Sequence, residues 1–96
     1  MDNPYVKNWE ERIREIKNQA FDKNQKIELW NKAIDNLTLY LGALKKISWD
    51  EYETIKEDLR LALEIAYSNY RKQKWENSFL GKIKIIVKSI FSGKTF

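Results

Sequence analysis

Apolar positions along this chain recur at alternating steps of three and four, the spacing of one helix face, and almost nowhere at the step of two that marks a half-buried strand. A helix is predicted to open at Asn3-Pro4, because Asn accepts from an orphan amide and proline in the first turn loses no hydrogen bond. Tyr5, Trp9, Ile13, Ile16 and Ala20 then share one face, with Glu10 and Arg14 spaced for an i,i+4 pair, giving a first helix over 4–20. Asp22 followed by Gln25 has the pattern of a capping box, so the chain is expected to break near Phe21 and restart at 23.

The strongest pattern lies over 23–46, where Ile27, Trp30, Ile34, Leu37, Leu41 and Leu44 repeat every seven residues. Leu29, Ala33, Tyr40 and Ala43 widen this stripe to the breadth of a helix in a bundle. Gly42 marks either the close approach of another helix or a tolerated weak point, costing about 1 kcal/mol relative to alanine. Ser48 and Glu51 form a second capping box, with Ile47 and Tyr52 placed as a hydrophobic staple. The next helix is predicted over 49–77, with Tyr52, Ile55, Leu59, Ala62, Ala66 and Tyr70 on its buried face and Leu61 and Ile65 beside them. Acidic residues at its start and Arg71, Lys72 and Lys74 at its end complement the helix dipole. So short a turn folds 23–46 against 49–77 as a long helical hairpin.

Residues 78–96 read SFLGKIKIIVKSIFSGKTF. As a helix over 79–91, Phe79, Leu80, Ile83, Ile86, Val87, Ile90 and Phe91 form a broad apolar face, opposite Gly81, Lys84, Lys88 and Ser92. As a strand, the alternation lasts only from Lys82 to Ile85, and no other segment offers a partner strand. Helix is therefore predicted, with a frayed end at 92–96. The fold class that emerges is all-α, a single domain 1–96: a small antiparallel helical bundle built on the hairpin, with a cationic amphipathic C-terminal helix.

Composition narrows the chemistry. At 96 residues there is room for one domain, and 43% hydrophobic with 33% charged residues describes a foldable, soluble chain. With no His and no Cys, disulfides, the usual zinc sites and Cys or Ser–His nucleophile arrangements are excluded. Carboxylate groups such as Glu10, Glu11 and Glu15, or Asp50, Glu51 and Glu53, are explained by helix solvation and dipole pairing. Gly93-Lys94-Thr95 resembles the end of a phosphate-binding loop, but the glycine that such a loop needs falls on Lys88. No catalytic residue, metal or cofactor is expected. The first residues, MDNPYVKNWEERIR, lack the apolar core of a secretion signal, so a cytoplasmic chain is expected.

Charge is unevenly spread. Residues 1–70 carry 11 basic and 13 acidic side chains, whereas 71–96 carry 7 basic and 1 acidic. The basic end is therefore expected to face an anionic partner. In that reading Trp75, Phe79, Ile83, Ile86, Val87, Ile90 and Phe91 supply apolar anchoring, and Arg71, Lys72, Lys74, Lys82, Lys84 and Lys88 the attraction, toward an acidic protein surface or an anionic membrane face. Trp49 and Trp75 are expected as exposed anchors, and Trp9 and Trp30 as core. A competing reading takes Tyr67, Tyr70, Arg71, Lys74 and Trp75 as a grip for single-stranded nucleic acid, rings stacking on bases and cations on phosphates. A third makes the chain a structural subunit of a helical homodimer. In architecture alone, a small basic helical bundle with an amphipathic C-terminus resembles the bacteriocin immunity proteins. That resemblance implies an inhibitor that occludes a protein partner by binding.

Overall fold

The computed structural model describes residues 3–94, and the side chains of residues 3–78. Three helices occur in order: α1 over Pro4–Lys17, α2 over Lys23–Gly42 and α3 over Trp49–Lys94. No strand occurs among the described residues. The start of α1 is tied to the turn before α3, where the Asn3 amide donates to the Lys46 carbonyl at 2.7 Å. Its end is tied to α3 by the Asn69 amide, which donates to the carbonyls of Lys17 and Gln19, both at 3.0 Å. Helix α1 thus runs parallel to α3, and α2 runs back between its two ends, its first turn held to α3 by Lys26 on Glu64. Helix α3 is the spine against which both others pack.

The local signals for each start are realised as hydrogen bonds. Asn3 caps α1 by accepting from the Tyr5 amide at 3.0 Å. Asp22 and Gln25 exchange side-chain and backbone bonds at the start of α2, and Ser48 and Glu51 do so at the start of α3. Each reciprocal pair satisfies two amides that have no partner within the helix. Ile47 and Tyr52, the predicted staple, are both buried.

The core joins Trp9, Ile13 and Ile16 of α1, Ala33 and Leu37 of α2, and Ile55, Leu59, Ala62, Leu63 and Ala66 of α3. Leu37 and Leu59 are fully buried, each contributing about 1.5–3 kcal/mol by removing its side chain from water. Among the described residues no buried side-chain polar atom lacks a hydrogen bond. Leu63 was not expected in the core. It lies four residues beyond Leu59, on the side of the stripe that meets α2.

The helix ends differ from the sequence reading, each for a tertiary reason. Helix α1 stops at Lys17, not Ala20, because Asn69 takes up its terminal carbonyls and the Phe21 amide bonds to the Ala66 carbonyl at 3.1 Å. Helix α2 stops at Gly42, not Lys46, and the stripe's outer members Ile27 and Leu44 are exposed. Past Gly42 the amides of Leu44 and Lys46 reach back to Leu39 and Tyr40, a widened end in which Lys45 takes φ 50°. A Cβ added at Gly42 would meet nothing within 4 Å, so no helix comes close there and the residue is only a weak point at the helix end. The predicted break at 77–78 is absent: α3 continues through Asn77 and Ser78 to Lys94 as one helix. Neither residue is a strong helix breaker, and the chain's one proline is Pro4.

At about 1.5 Å per residue, the 46 residues of α3 span about 69 Å, against about 30 Å for α2. The long axis of the molecule, 74 Å, is set by α3. The basic end of the chain therefore continues as a helical arm past the hydrogen bonds that Asn69 makes to the end of α1.

Candidate functional site

The residues expected to bind a partner fall into two groups. Arg71, Lys72, Lys74 and Trp75 lie on α3 just past the Asn69 tie, all exposed, with Trp75 at 60% and Trp49 at 62% as the predicted surface tryptophans. Trp9 is buried and Trp30 half-buried, as expected for core positions. The side chains of Phe79, Lys82, Ile83, Lys84, Ile86, Val87, Lys88, Ile90 and Phe91 lie outside the described ones. Their backbone belongs to α3.

Tyr67, Tyr70, Arg71, Lys74 and Trp75, the aromatic and basic set, are brought together. They share a shallow concavity of about 700 Å³ with the start of α2 at Asp22, Lys23 and Asn24. Its use as a base-stacking platform is restricted by its own cations. The Arg71 guanidinium lies 5.8 Å from the Tyr67 ring centroid and the Lys26 ammonium 4.8 Å from it, both in cation–π range. Lys26 at the same time bonds Glu64 at 2.8 Å, and that hydrogen bond holds the Glu64 carboxyl below its ordinary pKa. Sequence spacing missed Lys26, because its neighbours on α3 are about forty positions away.

A second concavity, of about 550 Å³, separates α1 from α2 and is lined by Trp9, Arg12, Leu29, Lys32 and Asn36. It is closed at one end by Tyr5, which stacks on Tyr40 and donates its hydroxyl to Asn36. Burial pushes the Tyr5 phenol above its ordinary pKa. Arg12 leans over Trp9 with 5.3 Å to the ring centroid, so the cation is held against the core helix. On the far side of α2, a pocket of about 270 Å³ has Ile27, Trp30 and Leu63 at its base and Lys26, Arg60 and Glu64 around it.

Leu61 and Ile65 were expected to border the core. They are 45% and 41% exposed, while Leu59, Ala62, Leu63 and Ala66 are at most 2% exposed, so they lie on the face of α3 turned away from α1 and α2. The missed signal is a second helical face: from Leu61 the steps to 65, 68, 72, 75, 79, 83, 86 and 90 are all three or four residues, and every position but Ser68 and Lys72 is apolar. Acidic residues are similarly arranged by length along this one helix. Residues 49–70 carry 6 acidic and 2 basic side chains, and residues 71–94 carry 7 basic and 1 acidic.

Among the described residues, no group of three or more metal-ligating side chains converges, and no helix is long and apolar enough to cross a membrane. No protein-family model, curated protein or solved structure matches this chain.

Proposed function

We propose that this is a non-catalytic binding protein that inhibits or occludes a protein partner, docking the basic half of α3 on an acidic protein surface or on the cytoplasmic face of a membrane. The observation that carries the reading is the unbroken helix through Asn77 and Ser78. A segment that closed its own bundle would have to turn back there, and instead the lysines and the apolar residues after Ser78 extend along α3 beyond Asn69. A cationic helix with an apolar face gains both from burial and from attraction to an anionic surface. The nucleic-acid reading is less favoured, because Tyr67 already carries Lys26 and Arg71 over its ring and Asp22 stands beside the same concavity.

The test is flotation of the full chain with vesicles of anionic and of neutral lipid, beside a chain ending at Asn77 and a Lys84→Glu/Lys88→Glu variant. Anionic-lipid flotation lost in both altered chains, with helicity by circular dichroism kept at the level of α1, α2 and the remaining α3, supports the membrane form of docking. A truncated chain that no longer folds would assign the arm to the core and overturn the reading.

A further inference from the structure

We infer that α3 pairs antiparallel with α3 of a second copy of this chain, so that the first acidic surface each basic arm meets is the bundle of its own partner. The inference rests on the arm being an element that seeks an acidic surface, and it names that surface.

Three observations converge on a second copy. The first is an apolar stripe along α3, whose members Leu61, Ile65 and Trp75 are exposed and whose helical spacing continues in the sequence to positions 79, 83, 86 and 90. It spans about 44 Å of helix at 1.5 Å per residue. A segment serving only as a lipid anchor has no use for Leu61 and Ile65, which stand among Glu57, Asp58 and Glu64, where anionic lipid would be repelled.

The second is charge. The first half of α3, residues 49–70, has a net charge of −4 and the second half, 71–94, of +6. Parallel pairing would set like against like along the whole rod. Antiparallel pairing sets residues 81–94, with 4 lysines and no acidic side chain, against 57–70 of the partner, with 3 acidic and 1 basic, which fixes the orientation and speeds association.

The third is symmetry of register. When the two-fold axis falls between positions 75 and 76, Leu61 comes opposite Ile90 and Ile65 opposite Ile86 as apolar pairs, while the polar Ser68 and Lys72 on the same face come opposite Ile83 and Phe79. In the same register Glu57 comes opposite Lys94. An isologous dimer needs such self-complementarity, residue i meeting j while j meets i. The arm also needs cover to stay helical. Residues 79–94 include Gly81, Gly93 and the β-branched Ile83, Ile85, Ile86, Val87 and Ile90, and an unsupported helix of that length is marginal in water. Helices α1 and α2 pack on the opposite side of α3, at Leu59, Ala62, Leu63 and Ala66, so they leave Leu61 and Ile65 uncovered.

The absence of cysteine from the chain makes the register directly readable. Single-cysteine chains are made at Ser68, Ile83 and Glu76, their mass is followed by light scattering from low to high concentration, and they are oxidised alone and in pairs. Expected are a dimer that dissociates at least tenfold more readily in Leu61→Asp/Ile65→Asp, with a melting temperature that matches the parent's at concentrations where both are monomeric, and a disulfide between Ser68→Cys and Ile83→Cys chains and between two Glu76→Cys chains. A Ser68→Cys chain that links efficiently to itself, and not to Ile83→Cys, overturns the antiparallel register. A monomer at every concentration overturns the pairing. If that monomer still floats with anionic vesicles, the docking reading stands without it; if it floats with neither lipid, the membrane form of that reading fails as well.

Discussion

Tyr5 and Tyr40 lie ring over ring, centroids 3.8 Å apart and 8° from parallel, and they join the start of α1 to the end of α2, two helices that otherwise face each other across an open groove. Replacing Tyr40 by leucine keeps apolar bulk and removes the stacked ring. A loss of about 0.5–1.5 kcal/mol is expected in urea unfolding followed by circular dichroism. The same contact gives an alkaline limit. Burial raises the Tyr5 pKa above its ordinary value of 10, so the folded state holds the phenolic proton longer than the unfolded chain does. Stability is then full below pH 10 and falls as pH rises from there through the folded pKa. In Tyr5→Phe this part of the alkaline decline should disappear.

Leu59 and Leu61 are two residues apart on α3, one fully buried and the other 45% exposed. Leu59→Ala should cost about 2–5 kcal/mol, the transfer of its side chain plus the cavity left behind. Leu61→Ala, measured at a concentration low enough to keep the chain monomeric, should stay within about 0.5 kcal/mol of the parent. Equal losses at the two sites would contradict the assignment of faces on α3.

The Ser48 hydroxyl accepts from the Glu51 amide at 3.1 Å while the Glu51 carboxylate accepts from the Ser48 amide at 2.9 Å. Ser48→Ala should therefore lower stability by about 1 kcal/mol. The loss should be smaller when Glu51 is already alanine, a coupling that a double-mutant cycle measures.

Lys45 adopts φ 50°, a conformation in which Cβ crowds the next carbonyl along the chain. Glycine there has no such crowding, and its greater freedom in the unfolded chain offsets only part of the gain. Lys45→Gly is expected to stabilise the fold by about 0.5–1 kcal/mol, read as a rise in melting temperature. A fall would show that the Lys45 side chain contributes more than its backbone costs.

How far the fold was legible depends on where each feature takes its information from. All three helix starts were written locally, since Asn3, Asp22 and Ser48 meet their partners within three residues. The ends were not, because Asn69 and Ala66, which terminate α1, are some fifty positions away from the groups they bind. Periodicity found the core members Leu37, Leu59 and Ala66 but could not separate two apolar series sharing α3, so Leu63 was left out and Leu61 and Ile65 were placed beside the core instead of opposite it. The aromatic and basic set from Tyr67 to Trp75 was legible because its members lie on successive turns of one helix. Lys26, which comes from another helix to lie over Tyr67, was not.

Continuity of α3 fixes an angle as well as a reach. Every residue added to a helix turns its distal portion by about 100°, so the azimuth of positions 79–90 relative to the bundle is set by the number of residues between Tyr70 and Ser78 and by nothing else. Inserting two residues there would swing the distal stripe by about 200°, to the opposite side from Leu61 and Ile65, whereas inserting four would leave it within about 40° of its place and only lengthen the molecule by about 6 Å. The stretch between bundle and arm thus behaves as a drive shaft, tolerant of added length only in whole turns.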